Sequence, residues 1–117
     1  MKNDENVIVI KSKQFALRII KLYQYLSDTK KEYILSKQVL RSGTSIGPNV
    51  KEGIRGQSKA DFNAKMCIAL KEASETEYWL ELLIEGDYTE DKCVLEHCTE
   101  VKRMLIASIN TAKNNLK

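Results

Sequence analysis

The residues best suited to chemistry are four glutamates, Glu72, Glu75, Glu77 and Glu81, crowded into one stretch of the chain. Glu72 and Glu75 are three apart, about one helical turn, on a stripe shared with Ile68, Trp79 and Leu82. Two carboxylates so placed could ligate a metal, but di-iron bundles combine such glutamates with Glu-x-x-His pairs, and no histidine accompanies these. A carboxylate at the margin of an apolar core wants a cation, so Glu72 and Glu75 are read as structural ion-pair partners of Arg18 or Arg41. Cys67, Cys93 and Cys98, with His97 as the lone histidine, lack the paired spacing of a zinc site. Their odd number and helix-like surroundings suit reduced thiols better than a disulfide framework. Cys67 with His97 is one nucleophile–base candidate, against which stands the simpler reading of a buried structural cysteine. The stretch Arg41-Ser42-Gly43-Thr44-Ser45-Ile46-Gly47-Pro48-Asn49 has the small residues of a phosphate cradle, yet lacks the Gly-Lys-Ser/Thr ending and a preceding strand. Neither Ser42 nor Ser45 has a nucleophile elbow or a histidine base at a predictable distance. The sequence therefore predicts no catalytic residue, no metal and no cofactor. Tyr78-Trp79 could stack bases, but the helical spacing of Trp79 from Glu75 and Leu82 reads as a core or interface anchor.

These residues must be positioned by helices. The chain has 117 residues, 43% apolar and 30% charged, the size and mix of one domain spanning 1–117. Four of its five glycines and its one proline fall between residues 43 and 56, a distribution that disfavours an all-β sandwich or barrel, which would need frequent Gly or Pro turns. The apolar run Val7–Ile10 is too short for a signal-peptide core or a membrane span, so a cytoplasmic location without membrane contact is expected. Residues 7–27 carry Ile8, Phe15, Ile19, Leu22 and Leu26 at helical spacing, with Ser12 the polar member. Thr29-Lys30-Lys31-Glu32 fits a capping box and predicts a second helix from about Lys30. Ser58 is placed to cap a third, with Phe62, Met66, Ala69, Ala73, Thr76, Leu80 and Leu83 on one stripe and Gly86 as a left-handed stop. Thr89 is the predicted cap of a fourth, with Val94, Cys98, Val101, Leu105, Ser108 and Ala112 facing in. Four helices with short connections predict an all-α, antiparallel up-down four-helix bundle.

The second helix is the anomaly, because Gly43, Gly47 and Pro48 would weaken it by about 1, 1 and 3 kcal/mol. The face Ser36, Leu40, Gly43, Gly47, Val50 and Ile54 would let another helix approach closely, and Pro48 predicts a kink. Beside it lies a wholly polar stripe, Gln38, Ser42, Ser45, Asn49 and Glu52; one of the two is expected to meet another subunit. Charge is unevenly spread. Residues 29–56 are net +4 and residues 57–86 net −3, so the cations gather on the second helix and its exit. Lys37, Lys51, Arg55, Lys59 and Lys65 are the candidate nucleic-acid-binding set, set against the plainer reading of a solvated face paired with the acidic third helix.

The blocks Phe15-Ala16-Leu17-Arg18, Leu40 through Val50, and Asp61-Phe62-x-x-Lys65 followed by Ile68-Ala69-x-Lys71-Glu72-Ala73-x-Glu75-Thr76-x-Tyr78-Trp79-Leu80 resemble the 23S rRNA intervening-sequence protein family. The resemblance covers nearly the whole chain. Two departures are small: Pro48 stands where the family commonly has alanine, and Lys51-Glu52-Gly53 replaces a more acidic triplet. What the resemblance implies is an antiparallel four-helix bundle assembling into a ring, usually a homopentamer, without catalytic activity. It raises weakly sequence-selective binding of RNA or DNA above the solvated-face reading. It leaves as the alternative an adaptor whose basic face docks an acidic partner, such as a nucleic-acid-processing protein. Gly43, Gly47 and Trp79 are expected in subunit or helix packing.

Overall fold

In the structure, a computed structural model that describes the backbone of residues 3–115 and the side chains of 7–114, the chain forms four helices and, among the described residues, no strand. They are α1 (Asn3–Asp28), α2 (Leu35–Ile54), α3 (Lys59–Glu85) and α4 (Lys92–Asn115). Each packs on its neighbours in the order α1, α2, α3, α4 and back to α1, while the backbones of the diagonal pairs stay apart. Short connections between sequential neighbours make the arrangement up-down-up-down, in a rod of 49 × 21 × 20 Å.

The reason lies in four apolar stripes. On α1 the whole set Ile8, Ser12, Phe15, Ile19, Leu22 and Leu26 is buried. On α3 the buried set is Met66, Ala69, Ala73, Thr76, Leu80 and Leu83, with Phe62 packed at the margin. The second helix is turned relative to the expected face: Ser36, Gly43 and Val50 are buried as expected, but Val39, Ser42, Ile46 and Gly53 complete the buried side, whereas Leu40, Gly47 and Ile54 lie at the margin. The cause is visible at Gly43, where an added Cβ would sit 2.9 Å from Ile19 Cγ1 and Cγ2, so α1 approaches on the glycine's bare side. At Gly47 the nearest atom to an added Cβ is Ser12 Oγ at 3.6 Å, an ordinary contact. The close approach and the buried part of the polar stripe are thus satisfied inside one chain, and neither requires the second subunit expected from them. The helix continues through Pro48, which is exposed.

Three helix ends also differ from expectation. α2 begins at Leu35 and not near Lys30, because the Glu32 carboxylate reaches forward and not back: it accepts the N–H groups of Ile34 (3.2 Å), Leu35 (3.0 Å) and Ser36 (2.7 Å). Ser58 caps α3, its Oγ accepting from the Asp61 N–H. At the other end of α3, Gly86 has φ −85° and the left-handed residue is Asp87, φ 63°. The α4 cap is Asp91, whose Oδ1 accepts the Val94 N–H at 3.2 Å, while Thr89 Oγ1 accepts the Asp91 N–H. Within α4, Ile109 is buried where Ser108 and Ala112 were expected.

Candidate functional site

The seam between α2 and α3 holds the residues singled out for chemistry. Arg41 reaches from α2 to both carboxylates, Nη1 lying 3.4 Å from Glu72 Oε2 and Nη2 bonding Glu75 Oε2. Ser45 Oγ is 3.0 Å from Glu72 Oε2, and Trp79 Nε1 donates to Glu75 Oε2 at 3.0 Å. Beneath them the buried hydroxyls of Thr76 and Ser42 stand 2.8 Å apart. Each of these two acids therefore has donors of its own, and the pair works as a clasp between two helices. Trp79 is half-buried against the core and meets the Tyr78 ring edge-on at 5.4 Å. Arg18 takes no part. It lies on α1, diagonal to α3, and binds Asp91 instead, Nη2 standing 3.1 and 3.3 Å from the two carboxylate oxygens. Asp91 was missed in the sequence, although an aspartate three residues before the first buried residue of a helix is a cap signal.

The cysteine and histidine candidates are held apart. Cys67 lies near the start of α3 and His97 near the start of α4, toward opposite ends of an antiparallel pair. His97 packs edge-on against Phe15 at 5.3 Å, and burial, with Arg18 and Lys11 adding to it against Glu100, holds its imidazole below the usual range. Cys98 donates to the Ala73 carbonyl at 3.4 Å, and burial, with Glu77 adding to it, pushes its thiol up to about 12. That thiol is no nucleophile.

The basic set divides in two. Lys51, Arg55, Lys59 and Lys65 gather around the α2–α3 turn, where the last turn of α4 adds Lys113. Lys65 stands 3.7 Å from Glu52, and Asp61 is another acid of that turn. Lys37 is not part of this cluster: fourteen residues of helix separate it from Lys51, about 21 Å along α2, and it lies near the opposite end of the bundle. The sequence placed it with the others because it shares their charge and their helix, and Lys113 was missed because it lies far off in the chain. Between the helix ends at the basic turn opens a groove of about 680 Å³ walled by Val7, Ile54, Phe62 and Met104.

The family model described as 23S rRNA-intervening sequence protein matches residues 4–107. The chain belongs to that family. It is also similar to a crystal structure of a protein of unknown function from the S23 ribosomal protein family of Bacteroides thetaiotaomicron. The two are 49% identical, with a TM-score of 0.89 over 92% of this chain and 98% of that one. No curated protein matches. Leu40–Val50 and Asp61–Leu80, two of the three blocks in which the sequence resembles that family, form the two walls of the Arg41 clasp. Among the described residues no helix is long and apolar enough to cross a membrane.

Proposed function

We propose that this protein is a non-catalytic, ring-forming cytoplasmic bundle that binds RNA or DNA through phosphate contacts, with little sequence preference. The observation that carries the reading is the gathering of Lys51, Arg55, Lys59, Lys65 and Lys113 at one end of the rod, where the acids of the chain are Glu52, Asp61 and, in the first turn of α1, Asp4 and Glu5. One copy of such an end is a poor ligand for a phosphate chain, since each contact is weak and screened by salt. Copies related by a rotation axis along the rod present the same end on the same side, so a ring, for which five subunits is the expected number, would collect the cations into one rim. Binding then gains from effective concentration. Arg41 stays outside the contact set because it lies on the α2–α3 seam between Glu72 and Glu75, ten residues of helix from Lys51 and the basic end.

The test is a titration of unrelated RNA and DNA sequences at two salt concentrations, with the wild type and with Lys51→Glu combined with Arg55→Glu. Both positions are exposed, so the assembly should survive. Affinity should fall alike for all sequences, and the slope of log K against log salt should flatten by roughly 0.7–0.9 for each phosphate that the variant no longer neutralises. Unchanged affinity in an intact assembly would reject the nucleic-acid reading in favour of an adaptor that docks an acidic protein.

A further inference from the structure

At the basic tip the four helix ends do not fill the space between them. α1 presents Val7, α2 Ile54 and α3 Phe62, whereas α4 presents Met104 and then only small side chains, Ala107, Ser108, Thr111 and Ala112. Small residues on one helix opposite larger ones on the others leave the groove of about 680 Å³, a size at which proteins hold small organic groups. About one turn further into the rod, Val50, Met66 and Val101 are fully buried and the core is packed in the ordinary way.

The chemistry of the groove is mixed. Phe62 and Met104 pack against the core and also line the groove, Phe62 as the one aromatic ring among the described lining residues. The hydroxyls of Ser108 and Thr111 and the amide of Gln57 line it too, and none of these three side chains makes a hydrogen bond among the described residues. The other threonines within the helices, Thr44, Thr76 and Thr99, each donate back to a carbonyl of their own helix. Lys59 is the charged residue of the lining, Arg55 stands between the lining residues Ile54 and Gly56, and Lys113 follows Ala112. Glu52 and Asp61 lie outside the lining.

An occupant must therefore offer apolar faces, an edge that donates and accepts hydrogen bonds, and negative charge at the mouth. An alkyl carboxylate has the first and the last but leaves the hydroxyls and the amide without partners. An acidic helix is about 10–12 Å across and has its backbone groups already bonded, so it could lower only single side chains into the groove. An unpaired base meets all three demands: two flat faces, a polar edge and a phosphate on either side.

We infer that the groove seats an unpaired base of single-stranded RNA or DNA against Phe62 and Met104, its edge toward Ser108, Thr111 and Gln57 and its flanking phosphates on the surrounding cations. This rests on the nucleic-acid reading above and deepens it by naming the strand. A duplex offers phosphates to the rim but keeps its bases paired and stacked, so it can use the cations and not the groove. Stacking is indifferent to which base is seated, in keeping with little sequence preference.

The test separates bases from phosphates. Fluorescence anisotropy compares mixed-sequence single strands of RNA and DNA, an abasic DNA strand with the same number of phosphates, and a DNA duplex. The variant is Ala107→Leu with Ser108→Leu, which fills the groove with aliphatic volume and changes no charge. Thr111→Leu with Ala112→Leu, one turn on, replaces it where far-UV circular dichroism shows lost helicity. Wild type should bind the normal strands about five- to tenfold more tightly than the abasic strand for each base seated. Filling the groove should lower the normal strands to the abasic level while leaving the abasic strand, the duplex and the salt dependence unchanged. Equal binding of normal and abasic strands by the wild type, or a preference that survives filling, overturns the base seat and leaves the phosphate reading standing. A wild type that binds none of the nucleic acids overturns both, and binding of an acidic, leucine-containing peptide that is lost on filling then gives the groove to a protein.

Discussion

A single missing methyl decides how α1 meets α2. Gly43 and Gly47, two of the three glycines of α2, look equivalent in sequence, four residues apart in the same helix, yet of this pair only Gly43 has a neighbour inside ordinary contact distance of an added Cβ: Ile19 Cγ1 and Cγ2 at 2.9 Å. Gly43→Ala adds about 1 kcal/mol of helix propensity but forces Ile19 or the helix backbone to move, and overpacking of that kind costs about 1–3 kcal/mol. Gly47→Ala gains the same propensity and meets only Ser12 Oγ at contact distance. Chemical denaturation should therefore show Gly43→Ala destabilised and Gly47→Ala stabilised by about 0.5–1 kcal/mol. Equal effects of the two would contradict the close approach at Ile19.

At the scale of the helix, α2 depends on Glu32, a residue outside it. Desolvation alone would raise the pKa of this carboxyl, but the three N–H groups it accepts, from Leu35, Ser36 and Ile34, outweigh that and hold it below its ordinary value of 4.5. Because the folded value lies below the unfolded one, the resulting stability is present above the unfolded pKa and is lost as pH falls through the folded pKa. Glu32→Ala should cost about 0.5–2 kcal/mol at neutral pH, as a lost N-cap does, and should remove part of the acid-induced decline. Thermal melts of both proteins from pH 7 to pH 3 would show the two curves converging; a constant gap would mean that the carboxylate charge is not what caps α2. The existence of all four helices and the burial of α1 and α3 were legible in the sequence, because an amphipathic period of 3.6 survives any detail of packing. The ends were less so. Thr29, Gly86 and Thr89 each satisfy a local rule, but the caps are the carboxylates of Glu32 and Asp91 and the left-handed residue is Asp87, each one to three residues further along the chain. The Arg41 clasp could be read from charge and burial on neighbouring helices, whereas Arg18 could not be assigned, since either of two partners suited its charge and only the cyclic order of the helices excludes Glu72 and Glu75.

At the scale of the whole molecule, the basic residues lie at a tip of the rod and the exposed apolar residues of α1 and α3 along its flanks. The buried thiol offers another view of the same rod. Cys67 and Cys93 are exposed, whereas Cys98 lies in the core between α3 and α4 with its proton held by the Ala73 carbonyl. With Cys67→Ser and Cys93→Ser in place, the remaining sulfur becomes a clock for the opening of the molecule. A thiol reagent can reach it only when α4 parts from α3, and a group whose folded-state pKa is near 12 stays unreactive during smaller fluctuations. Its modification rate, divided by that of the unfolded chain, reads the fraction of time the bundle spends open. Slowing by on the order of 10³-fold or more is expected for a cooperatively closed core. If Cys98 reacts as fast as Cys93 does in the wild type, α4 breathes independently of the other three helices.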